Sequence, residues 1–305
     1  MKIAVMGAGA IGGYIGGRLA SAGNEVAFIA RGAHLAAIRE AGLRITSPVG
    51  DLHIQPATAS DAPTDIGQVD IVLFAVKLYD VAAAAEAIRP LVGARTVIVC
   101  LQNGVDAVDI MAQTHGPERI AGGAVLINAE IAAPGLIQHN SMNGLTLGML
   151  DGSPNELLQR LADDADGSGI ETRIADDIRL ELWRKFLLLA PMGGLSAMSR
   201  VPLARIRERP ETWALAEMAM AEVIAVANAN GIGLDANDLA NSLAFVQGTK
   251  ESWKASLTVD LEQGRRLEID WLSGTVCRLA EAAGIDTPFH RVALGVLAPH
   301  AAGTG

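Results

Sequence analysis

The sequence predicts an α/β protein: a doubly wound, largely parallel sheet over residues 1–176, then an all-helical domain over residues 177–305. Three observations carry this expectation. A short apolar strand, Ile3 to Met6, runs into the glycine-spaced turn Gly7-Ala8-Gly9-Ala10-Ile11-Gly12, and a helical pattern (Tyr14, Ile15, Leu19) begins at once. Apolar runs then alternate with helical segments through the first half, as parallel strands with crossover helices require. From about Ile178 only helical periodicity remains.

The opening turn is the most informative element. Gly7 permits a tight turn, Gly9 lets a pyrophosphate approach the backbone, and Gly12 lets the helix pack close to the strand. The helix then presents free N–H groups to phosphates. Glycines also serve ordinary turns, but strand, turn, helix and a second strand (Glu25 to Ala30) arrive here in the order of a Rossmann-type dinucleotide site. A site for NAD usually ends its second strand in Asp or Glu, which bonds the ribose 2′-hydroxyl. This chain has Arg31 there. A guanidinium suits a 2′-phosphate, so the expected cofactor is NADPH, although a solvated surface arginine would also fit.

Val69 to Val76 is a nearly continuous apolar run and reads as a strand buried on both faces. Thr96 to Leu101 and Ala121 to Ile127 read likewise, with an Ala-rich helix from Asp80 to Ile88. Leu43 to Ala57, centred on Pro48-Val49-Gly50-Asp51, reads as an edge hairpin. Ile131 to Met149, with Pro134-Gly135 and Asn143-Gly144 as turns, reads as further antiparallel strands. In the second half, apolar stripes are carried by Leu180, Trp183, Leu187 and Leu188, by Trp213 to Ala227, and by Leu257, Leu261, Leu272 and Leu279. The boundary is expected near Ala175 to Asp177, and the active site in the cleft between the domains.

Half of the 305 residues are hydrophobic and the formal net charge is −10. Such a chain has ample core for two domains, and its acidity disfavours general binding to nucleic acid or anionic membranes. Cys100 and Cys277 lie far apart in apolar surroundings and read as core thiols in a reducing compartment. The six histidines show no metal-ligand spacing, so no metal is expected. The N-terminus does not read as a signal peptide, and no apolar stretch is long enough for a membrane span, which points to the cytoplasm. Gly303-Thr304-Gly305 reads as a frayed end. Oligomeric state, a homodimer included, is not legible.

Two charged residues sit on apolar stripes. Lys185 heads a face that continues through Leu188, Leu189 and Met192, and Pro191 and Gly193-Gly194 are expected to interrupt this helix, as happens where ligands enter. A snorkelling lysine at a core edge is the plainer reading. Glu268 falls on a helical stripe projected through Leu257, Leu261, Gly264, Leu272, Thr275 and Leu279. A carboxylate there is costly unless it is paired or lines a cavity. The alternative is an ordinary exit at the end of the stripe, if Gly264 breaks the helix. Asn103, in Leu101-Gln102-Asn103-Gly104, and Lys77 both follow strands, at the sheet end where ligands bind, though Asn-Gly is also a plain turn.

Together these motifs resemble the ketopantoate reductase (2-dehydropantoate 2-reductase) family over nearly the whole length. The residues carrying the resemblance are Gly7, Gly9 and Gly12 with Arg31, Ala75-Val76-Lys77, Leu101-Gln102-Asn103-Gly104-Val105, Leu182-Trp183-Arg184-Lys185, and Ser256 followed by Leu267-Glu268-Ile269-Asp270. The resemblance implies a Rossmann domain plus a helical domain, NADPH, and reduction of a 2-oxo acid to a 2-hydroxy acid in pantothenate synthesis. It implies Lys185 as proton donor, Glu268 holding Lys185 and touching the cofactor, Asn103 touching substrate and nicotinamide, Lys77 along the cofactor, and Ser256 on the substrate. An unperturbed lysine is already charged at neutral pH, so this role requires no shifted pKa.

The chain departs from the family where asparagines commonly serve the substrate: Leu189 and Gly193 stand one and two helical turns after Lys185, and Trp253 three residues before Ser256. A reductase for a more apolar 2-oxo acid is therefore an alternative, unless Ser252 or Asn241 replaces the amides. A non-catalytic NADPH sensor is a rival of another class, disfavoured because a sensor has no use for a proton donor.

Overall fold

The computed structural model describes residues 1–250 and 253–304. They form two compact units, Met1–Glu181 and Leu182–Gly305. In the first unit the strands are β1 (Lys2–Met6), β2 (Glu25–Ile29), β3 (Leu43–Thr46), β4 (Leu52–Ile54), β5 (Thr58–Ser60), β6 (Val69–Phe74), β7 (Val92–Cys100), β8 (Ile120–Ala133), β9 (Leu136–Met149) and β10 (Glu171–Ile174). Its helices are α1 (Ala10–Ser21), α2 (Gly32–Ala41), α3 (Val81–Ala87), α4 (Asp106–His115) and α5 (Glu156–Gly167).

The described strands form one sheet in the order β4-β3-β9-β8-β7-β6-β1-β2-β5, with β10 also on β9. The central run from β8 to β5 is parallel. Alternate residues along it are buried on opposite faces. Ile3, Val5, Ile71, Leu73, Val97 and Val99 share one core with Tyr14, Ile15 and Leu19 of α1 and Leu158 and Leu161 of α5. Ala4, Val72, Phe74 and Ile98 are buried too. That explains the uninterrupted apolar runs, because a strand covered on both faces has no wet side. The winding reverses between β1, which leads to β2, and β6, which leads to β7. Ligands of such sheets bind at this reversal.

The expected hairpin is present as the antiparallel pair β3 and β4. Pro134-Gly135 turns the chain between β8 and β9, but Asn143-Gly144 does not. There β9 continues, Gly144 pairs with Leu126, and the ladder shifts register between Ile127 and Asn128. Two long strands absorb the irregularity as a bulge beside Met142, whose φ is 56°.

The second unit is helical: most of α6 (Ile178–Ser199), then α7 (Leu203–Arg207), α8 (Pro210–Ala229), α9 (Ala236–Gln247), α10 (Ser256–Glu262), α11 (Ser273–Ala283) and α12 (Pro288–Leu297). Three expectations are corrected here. Pro191 and Gly193-Gly194 do not interrupt α6, which runs through Pro191. Its surroundings are buried from Ala190 to Ala197, and that packing outweighs the one backbone bond proline removes. The stripe through Glu268 is not one helix. α10 ends at Glu262, Gly264 turns with φ +65°, and a 3₁₀ turn over Ile269–Trp271 precedes α11. The chain end is tied rather than frayed up to Thr304, whose N–H donates to the Gly264 carbonyl at 2.9 Å. Gly305 lies outside the described residues. The carboxylate of Glu222, on α8, accepts the Phe289 and His290 N–H groups at 2.8 and 3.1 Å and so caps α12. Among the described residues no helix is long and apolar enough to cross a membrane, and no group of three or more acidic, His or Cys residues could hold a metal ion.

Candidate active site

The glycine turn follows β1 where the winding reverses. The Gly7 and Ala8 N–H groups donate to the Ile29 carbonyl at 3.2 and 2.9 Å, folding the turn onto the end of β2. Gly7 has φ +93°, and a Cβ there would come within 3.0 Å of the Ala75 carbonyl group. At Gly12 a Cβ would collide with the Gly7 carbonyl oxygen. At Gly9 it would meet nothing within 4 Å. Gly7 and Gly12 are therefore demanded by the fold, whereas Gly9 borders open space. α1 starts at Ala10 with no side-chain cap and no acidic residue in its first turn. Its free N–H groups and positive end fit an anionic pyrophosphate, with Ala8, Ala10 and Ile11 alongside.

Two residues not anticipated from sequence brace this cradle. His34 Nδ1 accepts from the Gly135 N–H at 3.0 Å, which leaves Nε2 to donate to the Ala8 carbonyl at 2.9 Å. Burial lowers the His34 pKa, and the neutral ring is the form this arrangement uses. Gln102 is buried, and its Nε2 donates to the Phe74 and Val76 carbonyls at 2.9 and 3.1 Å. Its Oε1 is buried with no partner among the described residues.

Parallel register aligns Met6 with Phe74 and Phe74 with Cys100. The glycine turn, Lys77 and Asn103 therefore leave the sheet at one end. Lys77 is exposed and precedes a 3₁₀ turn; Asn103 is half-buried between β7 and α4. Arg31 is exposed at the end of β2, immediately before α2, with no ion pair among the described residues.

In the helical unit the central feature is Lys185. Phe186, Leu187 and Leu188 beside it are buried in the core, and Arg184 pairs with Asp238 of α9 at 2.8 Å, fixing the rotation of α6. Part of the Lys185 stem remains accessible, but Nζ is buried and finds no hydrogen-bond partner among the described residues. Burial lowers its pKa to about 8, opposed by the negative charge of Glu268. The proton-donor role does not require this shift; it arises because the ammonium has lost its water. Glu268 is itself only 7% exposed, and its carbonyl accepts the Leu272 N–H at 3.1 Å. The carboxylate was anticipated as an anomaly in a helix; it lies in a turn, brought to Lys185 by the break at Gly264.

The other anticipated substrate residues are dispersed more widely. Leu189 is half-buried one turn beyond Lys185, and buried Gly193 faces Leu257 and Leu272. Ser256 is the exposed first residue of α10. The Trp253 ring packs edge-on against Phe245, with centroids 5.3 Å apart. Asn241 is exposed on α9, and Ser252 lies outside the described residues. Cys100 is buried and Cys277 half-buried, both free thiols.

An uncapped glycine turn at the reversal of a parallel sheet, with a helical unit carrying a buried lysine beside a carboxylate, defines a two-domain oxidoreductase using a nicotinamide dinucleotide. Comparison with known proteins narrows the class. The model of the family described as Ketopantoate reductase PanE/ApbA matches residues 3–152, and that of its C-terminal domain matches residues 177–301. A 2-dehydropantoate 2-reductase of Mesorhizobium japonicum is 34% identical over 94% of each chain. The crystal structure of a 2-dehydropantoate 2-reductase from Geobacter metallireducens superposes with a TM-score of 0.92 at 32% identity, covering 98% of this chain and 99% of that one. A D-mandelate dehydrogenase solved in complex with NADH has a TM-score of 0.85 at 25% identity, covering 98% of each chain. The chain belongs to the ketopantoate reductase family and is an oxidoreductase of that type.

Proposed function

We propose that the chain reduces ketopantoate (2-dehydropantoate) to pantoate with NADPH, the reductive step of pantothenate synthesis, in the cytoplasm. The observation that carries this reading is Lys185, a buried ammonium under the charge influence of Glu268 whose Nζ has no hydrogen-bond partner among the described residues. The oxygen of a 2-oxo acid is the acceptor it lacks. The reduced nicotinamide supplies a hydride to the carbonyl carbon. Lys185 polarises the carbonyl, stabilises negative charge growing on oxygen, and gives that oxygen its proton. Glu268 keeps Lys185 sufficiently basic to be charged at neutral pH.

In this reading residues 1–176 bind NADPH and residues 177–305 hold substrate and catalyst. Gly7 to Gly12 take the pyrophosphate and Arg31 takes the 2′-phosphate. Lys77 lies along the cofactor, Asn103 meets substrate and nicotinamide, and Ser256 binds the substrate. A non-catalytic NADPH sensor gains nothing from a buried lysine whose desolvation opposes its charge. Oxidation of NADPH on addition of ketopantoate, with pantoate identified as product, tests the proposal; absence of turnover contradicts it.

A further inference from the structure

His34 ties together two turns that are far apart in the chain. It lies in the first turn of α2, half-buried between the glycine turn and the Pro134-Gly135 turn that joins β8 to β9. Gly135 is held through both of its backbone groups: its N–H donates to His34 Nδ1 at 3.0 Å and its carbonyl accepts the Arg44 N–H at 2.9 Å. A Cβ on Gly135 would come within 3.0 Å of the Ala37 side chain, so this turn sits closely against α2. A backbone N–H can only donate, so Nδ1 must carry the lone pair and Nε2 the hydrogen. The far turn thus fixes the tautomer that faces the near one.

Nε2 donates to the Ala8 carbonyl at 2.9 Å. Ala8 is buried, and its N–H donates to the Ile29 carbonyl at 2.9 Å, so both backbone groups of this residue are pinned. The Ala8–Gly9 peptide is trans, and in a trans peptide the C=O and N–H point in opposite directions. Holding the Ala8 carbonyl against His34 therefore turns the Gly9 N–H the other way. That N–H has no acceptor among the described residues, and a Cβ at Gly9 would meet nothing within 4 Å. It joins the free N–H groups at the uncapped start of α1 as a donor beside open space.

We propose that His34 is a positioning residue for the cofactor: its ring holds the Ala8 carbonyl back and so aims the Gly9 N–H at the pyrophosphate. This rests on the reading above, that Gly7 to Gly12 take the pyrophosphate. His34 needs no contact with phosphate itself. It acts through one peptide, and the Gly135 turn supplies the donor that keeps the ring in its acting tautomer. Without the ring the buried Ala8 carbonyl loses its donor, and the peptide can rotate its N–H away from the anion.

The test compares His34→Ala with His34→Gln. Alanine keeps α2 helical and removes the donor; glutamine returns an amide N–H and an acceptor without the ring. NADPH dissociation constants are read by fluorescence titration, with adenosine 2′-phosphate, which lacks the pyrophosphate, titrated as a competitor. In His34→Ala, NADPH is expected to bind at least about fivefold more weakly, the effect of roughly one hydrogen bond. Adenosine 2′-phosphate should bind as it does to wild type, and His34→Gln should recover most of the NADPH affinity. Should the alanine variant not fold, His34→Phe, which keeps a ring but neither hydrogen bond, gives the same readout. Unchanged NADPH binding without the imidazole overturns the proposal. So does equal weakening of both ligands, which is damage to the whole nucleotide site, or a glutamine variant that binds NADPH no better than alanine. A wild type that does not bind NADPH contradicts the parent reading instead.

Discussion

Glu268 works against the burial of Lys185. Desolvation favours the neutral amine, the carboxylate favours the ammonium, and the balance places the lysine near pKa 8, below its ordinary 10.5. At neutral pH most Lys185 is protonated, yet the proton is held less tightly than on a lysine in water. That combination suits a donor that must release its proton to an alkoxide and recover it each cycle.

The pH dependence follows directly. The charged form is present below about pH 8 and is lost above it. The kcat/KM for reduction should therefore be level around neutral pH and fall with a limb near pH 8. Glu268→Gln should move that limb to lower pH, since only desolvation then remains. The stability contribution has the opposite sense. Between about pH 8 and 10.5 the unfolded chain binds a proton that the folded chain does not, so this group's contribution rises with pH across that window. Lys185→Met removes the proton donor and should abolish activity in a folded protein; reduction at a near wild-type rate would contradict the role of the ammonium.

The glycines separate fold from ligand. A side chain at Gly12 meets the Gly7 backbone, so Gly12→Ala should lose about 1–3 kcal/mol of stability. A side chain at Gly9 meets open space, so Gly9→Val should keep Tm but lose NADPH binding. Thermal melts with and without NADPH read both effects. Equal destabilisation of the two variants would remove Gly9 from the nucleotide cradle.

Cofactor choice rests on Arg31. Arg31→Ala should erase most of the preference for NADPH over NADH, about 1.5–3 kcal/mol for a charged hydrogen-bonded contact. The ratio of kcat/KM values for the two nucleotides measures it. A wild type that prefers NADH, or a variant that keeps its preference, contradicts the assignment.

Gln102 should act on the nucleotide side. Its amide pins the Phe74 and Val76 carbonyls beside the backbone against which Gly7 is packed. In Gln102→Met the Phe74 carbonyl keeps the Leu101 N–H at 2.9 Å, and the buried unpartnered Oε1 is gone. The loss of stability should therefore be small. KM for NADPH should rise about fivefold, the effect of roughly one hydrogen bond, with kcat changed less. A large fall in Tm with unchanged KM would make the residue purely structural.

The parts of this site that were legible in the sequence are those with local causes. Gly7 to Gly12 declare their turn within six residues, and Lys185 is conspicuous because the residues around it are apolar. Glu268 was flagged through a helical projection that the turn at Gly264 invalidates; the costliness of a buried carboxylate was the sound part of that reasoning. Pro191 and the following glycines predicted a break because local propensity says so, and core packing overrode it. His34 and Gln102 gave no local signal, since their partners arrive from other strands; Gly135 is 101 positions from His34. The Glu222 cap on α12 was hidden for the same reason.

The most direct test of the account is single-turnover reduction of ketopantoate by Lys185→Ala, with NADPH binding measured separately. Loss of a general acid predicts a rate about 10²–10⁴-fold below wild type. NADPH affinity should be unchanged, because Gly7 to Gly12 and Arg31 lie in the other compact unit. A near-normal rate in Lys185→Ala would contradict the proton-donor role, and with it the central claim.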